Sequence, residues 1–588
     1  MPPLPWSSLL RLDYSTGTTP LDRLHSLGEA APDVALVNWP NSTPYCYGWD
    51  GRDHHDYEPL DAQLDSLVAA RPGLRFILSF GALHGAPYYW ALDHKDELGV
   101  FHCGRRMQQP SLGSLAWRRD SAAAARRFAA HFASGRHAAR ILGFFPYNTA
   151  VDWHGVGETL VNIPDKETPK GTPDPLEGDF SAPMLAAFRA YLENTYASDA
   201  ALREAWRDAS ATRAGATLPA RVEVRSPSPR ARDYFECYNR LNADLALAWA
   251  EALKAGAPGK LVLLPHATLY GWPAQNIHPQ GSGHNAPEAL LASPAIDAFV
   301  SSATTPVGAR LALSQHPLGS LRLRAKAHVH SIEPPSLTRA RVEDQLHELT
   351  LAAGSAAVRG SALAWGEPRH GAGSLQDDRG RFATLPYDHA EVRAHVARLR
   401  AWHAAHLAAG HAPAAQLAVF TSPRGSYHRA LETRFNREHI ERFRHEVLAL
   451  AGLPFDDFLL ADFEAVADRY RAWVFLDCPD LAGPAWARVS REPARALFAT
   501  AGEPVREPAR LRAFAAAAGA HVWCASDDLV HADAGTLVFA ARSAGEKTLA
   551  LPRPATVRDA LSGAVLATTA TRVSFPATAG EVRLLTLA

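Results

Sequence analysis

Eight short apolar runs recur through the first four hundred residues, and they constrain the fold more than any other feature: 8–12 (SLLRL), 34–39 (VALVNW), 74–81 (LRFILSFG), 141–147 (ILGFFPY), 260–265 (KLVLLP), 296–302 (IDAFVSS), 326–332 (KAHVHSI) and 360–365 (GSALAW). Between them lie Ala-, Leu- and Arg-rich stretches of helical character, including 60–70, 121–134, 233–255 and 342–353. Strand and helix in alternation predict a parallel sheet. Eight such units predict a closed (β/α)8 TIM barrel over residues 1–404, within the usual size of that fold once a long insertion at about 148–232 is set aside.

A barrel of this kind presents its chemistry at the C-terminal ends of its strands. The seventh run ends in Glu333, followed at once by Pro334 and Pro335, which stop the strand ladder. Glu158 lies in the insertion that follows the fourth run. One group that protonates a leaving oxygen and a second carboxylate that attacks the sugar are the minimum equipment for cleaving a glycosidic bond, so the pair points to that reaction. Other polar and aromatic residues sit at the same ends: Trp39 after run two, His84 after run three, Asn148, Asp152 and Trp153 after run four, Tyr270 and Trp272 after run five, and Trp365 closing run eight. Asn148 is a candidate donor to a sugar hydroxyl. Trp153, Trp272 and Trp365 are candidate stacking platforms for a sugar face.

Run seven also carries His328 and His330, a spacing that metal-dependent hydrolases use. Alternation along a strand, however, puts both histidines on the face opposite Val329, Ser331 and Glu333. The same strand cannot present both sets inward, and no metal or other cofactor is expected. A barrel that binds sugar without cleaving it is the remaining alternative.

Sixty basic against 61 acidic residues leave a net charge of −1, so no electrostatic footprint for nucleic acid or an anionic membrane is present and a neutral carbohydrate substrate fits best. Cys46, Cys103, Cys237, Cys478 and Cys524 are widely spaced, form no CxxC pair, and read as reduced thiols. The amino terminus lacks the basic and apolar regions of a secretory signal, and no apolar run reaches bilayer length, so a cytoplasmic protein is expected.

Composition changes after about residue 405. A second βα series begins at 415–420 (AQLAVF), with further strands expected at 471–476, 496–499 and 521–524. No Gly-rich phosphate loop follows any of them. Residues 533–588 alternate in period two between turn residues and predict a small C-terminal β-sandwich.

Several segments, in their order along the chain, carry a family resemblance: PSLGSLAWR (110–118), GFF (143–145), DFS (179–181), FRAYL (188–192) with Tyr196, ALREAW (201–206), DYF (233–235), LPFD (453–456), LLAD (459–462) and GEKTLALP (545–552). Together they make the chain similar to the family 42 glycoside hydrolases, the retaining β-galactosidases. The resemblance implies a barrel over 1–404, a flavodoxin-like trimerisation domain over 405–532 and a β domain over 533–588. It also implies a homotrimer, a nucleophile at Glu333 and an acid/base in the loop after strand four. That family places Asn before its acid/base, whereas Gly157 precedes Glu158 here, and Asp152 beside Trp153 competes for the role. Glu158 is preferred for its longer side chain. The zinc-binding cysteines of some relatives are missing, and β-galactoside is the first expectation for the substrate.

Overall fold

The computed structural model describes residues 4–12, 19–38, 48–81, 86–100, 104, 106–146, 179–225, 228–265, 279–281, 283–304, 313–332, 341–366, 387, 389–429, 436–500 and 505–588. Eight parallel strands form the barrel: β1 (Ser8–Leu12), β2 (Val34–Val37), β3 (Arg75–Phe80), β4 (Ile141–Pro146), β5 (Leu261–Pro265), β6 (Ala298–Thr304), β7 (Ala327–Ile332) and β8 (Ala362–Trp365). They pair in chain order, and the β6–β7 and β8–β1 pairings close the ring. Every expected run is a strand, with ends that differ by at most two residues.

One helix can be taken with each strand: α1 (Pro20–Leu27), α2 (Glu58–Ala70), α3 (Leu115–Ser134), α4 (Pro229–Gly256), α5 (Pro287–Ala292), α6 (Leu318–Leu323), α7 (Val342–Val358) and α8 (Ala390–Ala409). Local chemistry fixes where several begin. Thr19 and Asp22 form a reciprocal capping box at α1, the Ser114 hydroxyl accepts from the Trp117 amide at α3, and Ser228 precedes Pro229 at α4.

The chain makes two compact units, one of Val37–Phe299 with Pro423–Phe435 and one of Met1–Leu36, Val300–Ser422 and Asn436–Ala588. In the first, α3 packs along α4. The buried Trp249 indole donates to the Ser121 hydroxyl at 2.8 Å, and its ring meets Phe80 edge-on at 5.2 Å. A Cβ on Gly256 would lie 2.3 Å from the Arg126 carbonyl oxygen, so only glycine allows that approach.

The second unit holds two more sheets. Strands β9 (Leu417–Thr421), β10 (Phe455–Leu459), β11 (Ala472–Leu476) and β12 (Ala496–Phe498) are parallel in the order β10-β9-β11-β12, the flavodoxin-like arrangement. Phe420 stacks between Phe458 and Phe475, with centroids 5.8 and 5.6 Å away. Two expectations change here. β10 has no counterpart among the expected strands because Asp456 and Asp457 break its apolar pattern; Asp456 is buried and neutralised by Arg322 at 2.5 Å. Residues 521–524 do not form a ladder strand. The amides of Trp523 and Cys524 donate to the Gly452 carbonyl and that of His521 to the Gln416 side chain, and strand-like pairing is confined to one bridge between Cys524 and Leu549, with the Ala550 amide donating to the Trp523 carbonyl at 2.8 Å.

Strands β13 (Leu529–Ala532), β14 (Thr536–Ala540), β15 (Gly545–Asp559), β16 (Val565–Ala577) and β17 (Val582–Leu587) make one antiparallel sheet in the order β13-β14-β17-β15-β16. β14 and β16 would lie about 14 Å apart if it were flat. The rings of Phe539 and Phe575 on those strands are nonetheless 5.4 Å apart. The sheet therefore rolls over on itself, helped by register shifts in β15 between Ala550 and Ala555, and encloses a core of its own. Cys237, Cys478 and Cys524 are free thiols.

Candidate functional site

The site begins with the division of β7 into two faces. On β1, the Arg400 guanidinium of α8 donates to the Ser8 hydroxyl at 3.3 Å, so Ser8 looks toward the helices and Leu9 and Arg11 look into the barrel. Lateral register carries this assignment across β8 to β7: Leu9 aligns with Ala364 and Ser331, while Ser8 aligns with Leu363 and His330. Val329 and Ser331 thus face the barrel interior, and His328 and His330 face the helices.

The two histidines are engaged on that outer face. His328 is buried between the hydroxyls of Ser301 (Nε2, 2.9 Å) and Ser361 (Nδ1, 2.8 Å), and burial holds it well below the usual imidazole range. Burial, reinforced by the Arg359 charge, pushes His330 down to about 4. Both rings are neutral at pH 7. Among the described residues no group of three or more His, Cys, Asp or Glu side chains is placed to hold a metal ion.

The inner face carries a feature that sequence reading passed over. Arg11 is 3% exposed, and its Nη1 donates to the Ser331 hydroxyl at 3.0 Å, across the intervening β8. The signal was present as a single charged residue in an otherwise apolar strand, since buried cations are retained only with partners.

β7 ends at Ile332; the next residue, Glu333, lies outside the described residues, as do Glu158, Asp152, Asn148, Trp153, Trp39, His84, Tyr270 and Trp272. Trp365 is described. It closes β8, is completely buried, and aligns with Leu10 and Ile332, on the helix-facing side of the strand. Its indole nitrogen has no hydrogen-bond partner among the described residues.

No protein-family model and no curated protein matches the sequence. Solved structures do match the fold. The β-galactosidase from Bacillus circulans sp. alkalophilus is similar with a TM-score of 0.67 and 13% identity, over 99% of this chain and 99% of that one. A catalytic mutant of a GH42 β-galactosidase from G. stearothermophilus is similar with a TM-score of 0.65 and 11% identity, over 96% of this chain and 95% of the other. This chain has the GH42 β-galactosidase fold. An exo-carrageenase GH42 structure from Bacteroides ovatus is similar as well, with a TM-score of 0.60 and 13% identity over 99% and 82% of the two chains.

Within the GH42 fold, the segments that carried the resemblance serve as anchors of the scaffold. Asp179, which follows directly on 147–178, is buried and accepts from the Ser111 hydroxyl (2.5 Å) and from the amides of Val100 (3.1 Å) and Ser181 (2.9 Å). Burial raises its carboxyl above the usual range against the pull of these donors. A Cβ at Gly113 would meet the Pro183 carbonyl oxygen at 2.5 Å. Asp233 gathers the Tyr196 hydroxyl (2.8 Å) and the Trp206 indole (2.6 Å), which ties the insertion's helices Ala182–Thr195 and Asp199–Trp206 to α4. Asp462 accepts from Ser320 and takes a two-pronged grip from Arg324 at 2.7 and 3.1 Å.

Proposed function

We propose that the protein is a retaining, exo-acting β-glycosidase, with terminal β-galactosides as its first substrate class. The observation that carries this reading is β7, which turns Ser331 into the barrel and ends at Ile332, directly before Glu333 in the sequence, at the strand end where a barrel of this kind presents its chemistry. The GH42 fold over nearly the whole chain supports it.

In the proposed mechanism Glu333 attacks the anomeric carbon while Glu158, protonated, gives its proton to the departing oxygen. The resulting glycosyl ester is hydrolysed by water that Glu158, now ionised, deprotonates, which restores both groups. The two tasks need opposite environments. Glu158 must be raised by burial and by its partner's negative charge, and Glu333 must be held ionised by donors or a nearby cation. Retention requires carboxyls about 5 to 5.5 Å apart. Asp152 is the competing acid/base. Gly157, in place of the family's Asn, favours a second reading in which the barrel binds sugar without cleaving it. The further parts of the proposal are substrate contacts by Asn148, Trp153, Trp39, His84, Tyr270 and Trp272, and division into domains at 404/405 and 532/533. A homotrimer built through the flavodoxin-like domain and a cytoplasmic location complete it; the free thiols fit the latter.

The test is aryl glycoside hydrolysis across α- and β-linked sugars by wild type and Glu333→Gln, with a chelator present. Turnover of one β-glycoside that resists chelation and is lost in the variant supports the reading. Silence across the panel with retained sugar binding favours the second reading.

A further inference from the structure

At the first residues of β7 and β8, within the unit that contains α7 and α8, lies a cavity of about 540 Å³. Its wall includes Trp6, Arg322, His328, Arg359, His406 and Asp533. That volume is in the range of small-molecule pockets. Two features of its wall bear on what it would hold.

Arg359 is 8% exposed, and among the described residues the one hydrogen bond of its guanidinium runs from Nη2 to the His531 ring at 3.3 Å. No carboxylate lies within ion-pairing distance of it among the described residues. Its guanidinium stacks over Phe455 at 5.1 Å, and Asp456 and Asp457 act on it only at longer range. Burial pulls its pKa down, the mark of a cation short of compensation. A buried guanidinium ordinarily has a bidentate acceptor. The remaining N–H groups of Arg359 are not sealed in protein, since none of them is both buried and unpartnered.

The second feature is that the one acid in the wall is already satisfied. Asp533 accepts from His406 (2.8 Å) and from the amides of Gly535 (2.9 Å) and Thr536 (2.8 Å), so it does not serve Arg359. Arg322 is likewise committed, to Asp456. The cavity is therefore bordered by a buried cation that no acid of its own wall pairs with.

We propose that this cavity is a binding site for a small organic oxyanion, a carboxylate or a phosphate ester, with Arg359 as its counter-charge. The apolar part of the wall, which includes Leu4, Pro5, Ala362 and Leu407, takes the carbon body of the ligand. The site is independent of the glycosidase reading, since none of its residues belongs to the proposed catalytic set.

The experiment uses the full chain and two probes, inorganic phosphate and benzoate, with sodium chloride at equal ionic strength as the reference. Thermal unfolding and calorimetric titration are measured for wild type, Arg359→Met and Ala404→Leu, the last of which narrows the cavity and leaves its charges in place. A saturable rise in unfolding midpoint with one probe, absent with chloride and at least ten-fold weaker in both variants, is the expected result. Response to phosphate alone assigns phosphate esters, and response to benzoate alone assigns carboxylates. No response beyond that to chloride, or an equal response in Ala404→Leu, overturns the proposal even if Arg359→Met fails to fold.

Discussion

Arg11 on β1 reaches past β8 to hydrogen-bond Ser331 on β7 at 3.0 Å, and both residues are nearly sealed from solvent. A permanent positive charge thus stands in the barrel interior at the level of Ser331. In the proposed mechanism that charge favours the ionised form of the nucleophile. Arg11→Met should raise the acidic limb of the pH profile of kcat/KM by about one unit, because a carboxylate loses the cation that favours its charged form. Arg11→Lys should restore most of it. An unmoved acidic limb in a folded Arg11→Met variant would leave Arg11 a purely structural residue.

Removal of either proposed catalytic carboxylate should separate their roles. Glu333→Gln is expected to abolish turnover of every substrate, by several orders of magnitude, with little change in unfolding temperature. Glu158→Gln should slow poor leaving groups far more than nitrophenolate, which departs without protonation. If Asp152→Asn instead produces the leaving-group dependence, Asp152 is the acid/base.

Acid should destabilise the fold through its buried histidines. His330 sits at about 4 and His403 at about 3, both by burial, and His328 and His531 are held well below their ordinary value for the same reason. With folded values below the unfolded 6.5, these groups contribute stability that is complete above about pH 6.5 and is lost as pH falls toward their folded values. Each adds a slope of about 1.4 kcal/mol per pH unit in that window. Urea midpoints recorded from pH 7.5 to 4.5 measure the slope; a flat profile would mean these rings are protonated in the native state.

Lys547 and Asp528 form a buried ion pair at 2.8 Å, with side chains 5% and 0% exposed. Lys547→Met leaves the carboxylate without its cation and should cost about 3 to 5 kcal/mol. Replacing both partners by apolar residues should cost much less. Denaturant unfolding of the two variants distinguishes a true pair from two independent contacts.

The barrel was legible because its strands are continuous apolar runs, buried on both faces and bounded by helical stretches. β10 was not, because Asp456 and Asp457 put two acidic residues where a buried strand shows none, and Arg322, the partner of Asp456, lies far away in sequence. The motifs that suggested the family proved to be hubs such as Asp179 and Asp233, which hold the scaffold and are silent about chemistry. Arg11 escaped notice because its partner, Ser331, is 320 positions distant. Trp365 stood as a possible platform because a sequence gives residue type at a strand end but not the side on which the ring lies.

The two-faced character of β7 makes that strand a ruler. Its inner side carries Ser331 and its outer side His328 and His330, and each outer ring has its own surroundings among the helices. Deletion of one residue anywhere within it would exchange the sides, driving an imidazole into the interior and a hydroxyl out among the helices. Substitutions along β7 can therefore be absorbed one at a time, whereas a change in its length cannot, and related chains should keep its residue count even where they keep none of its residues.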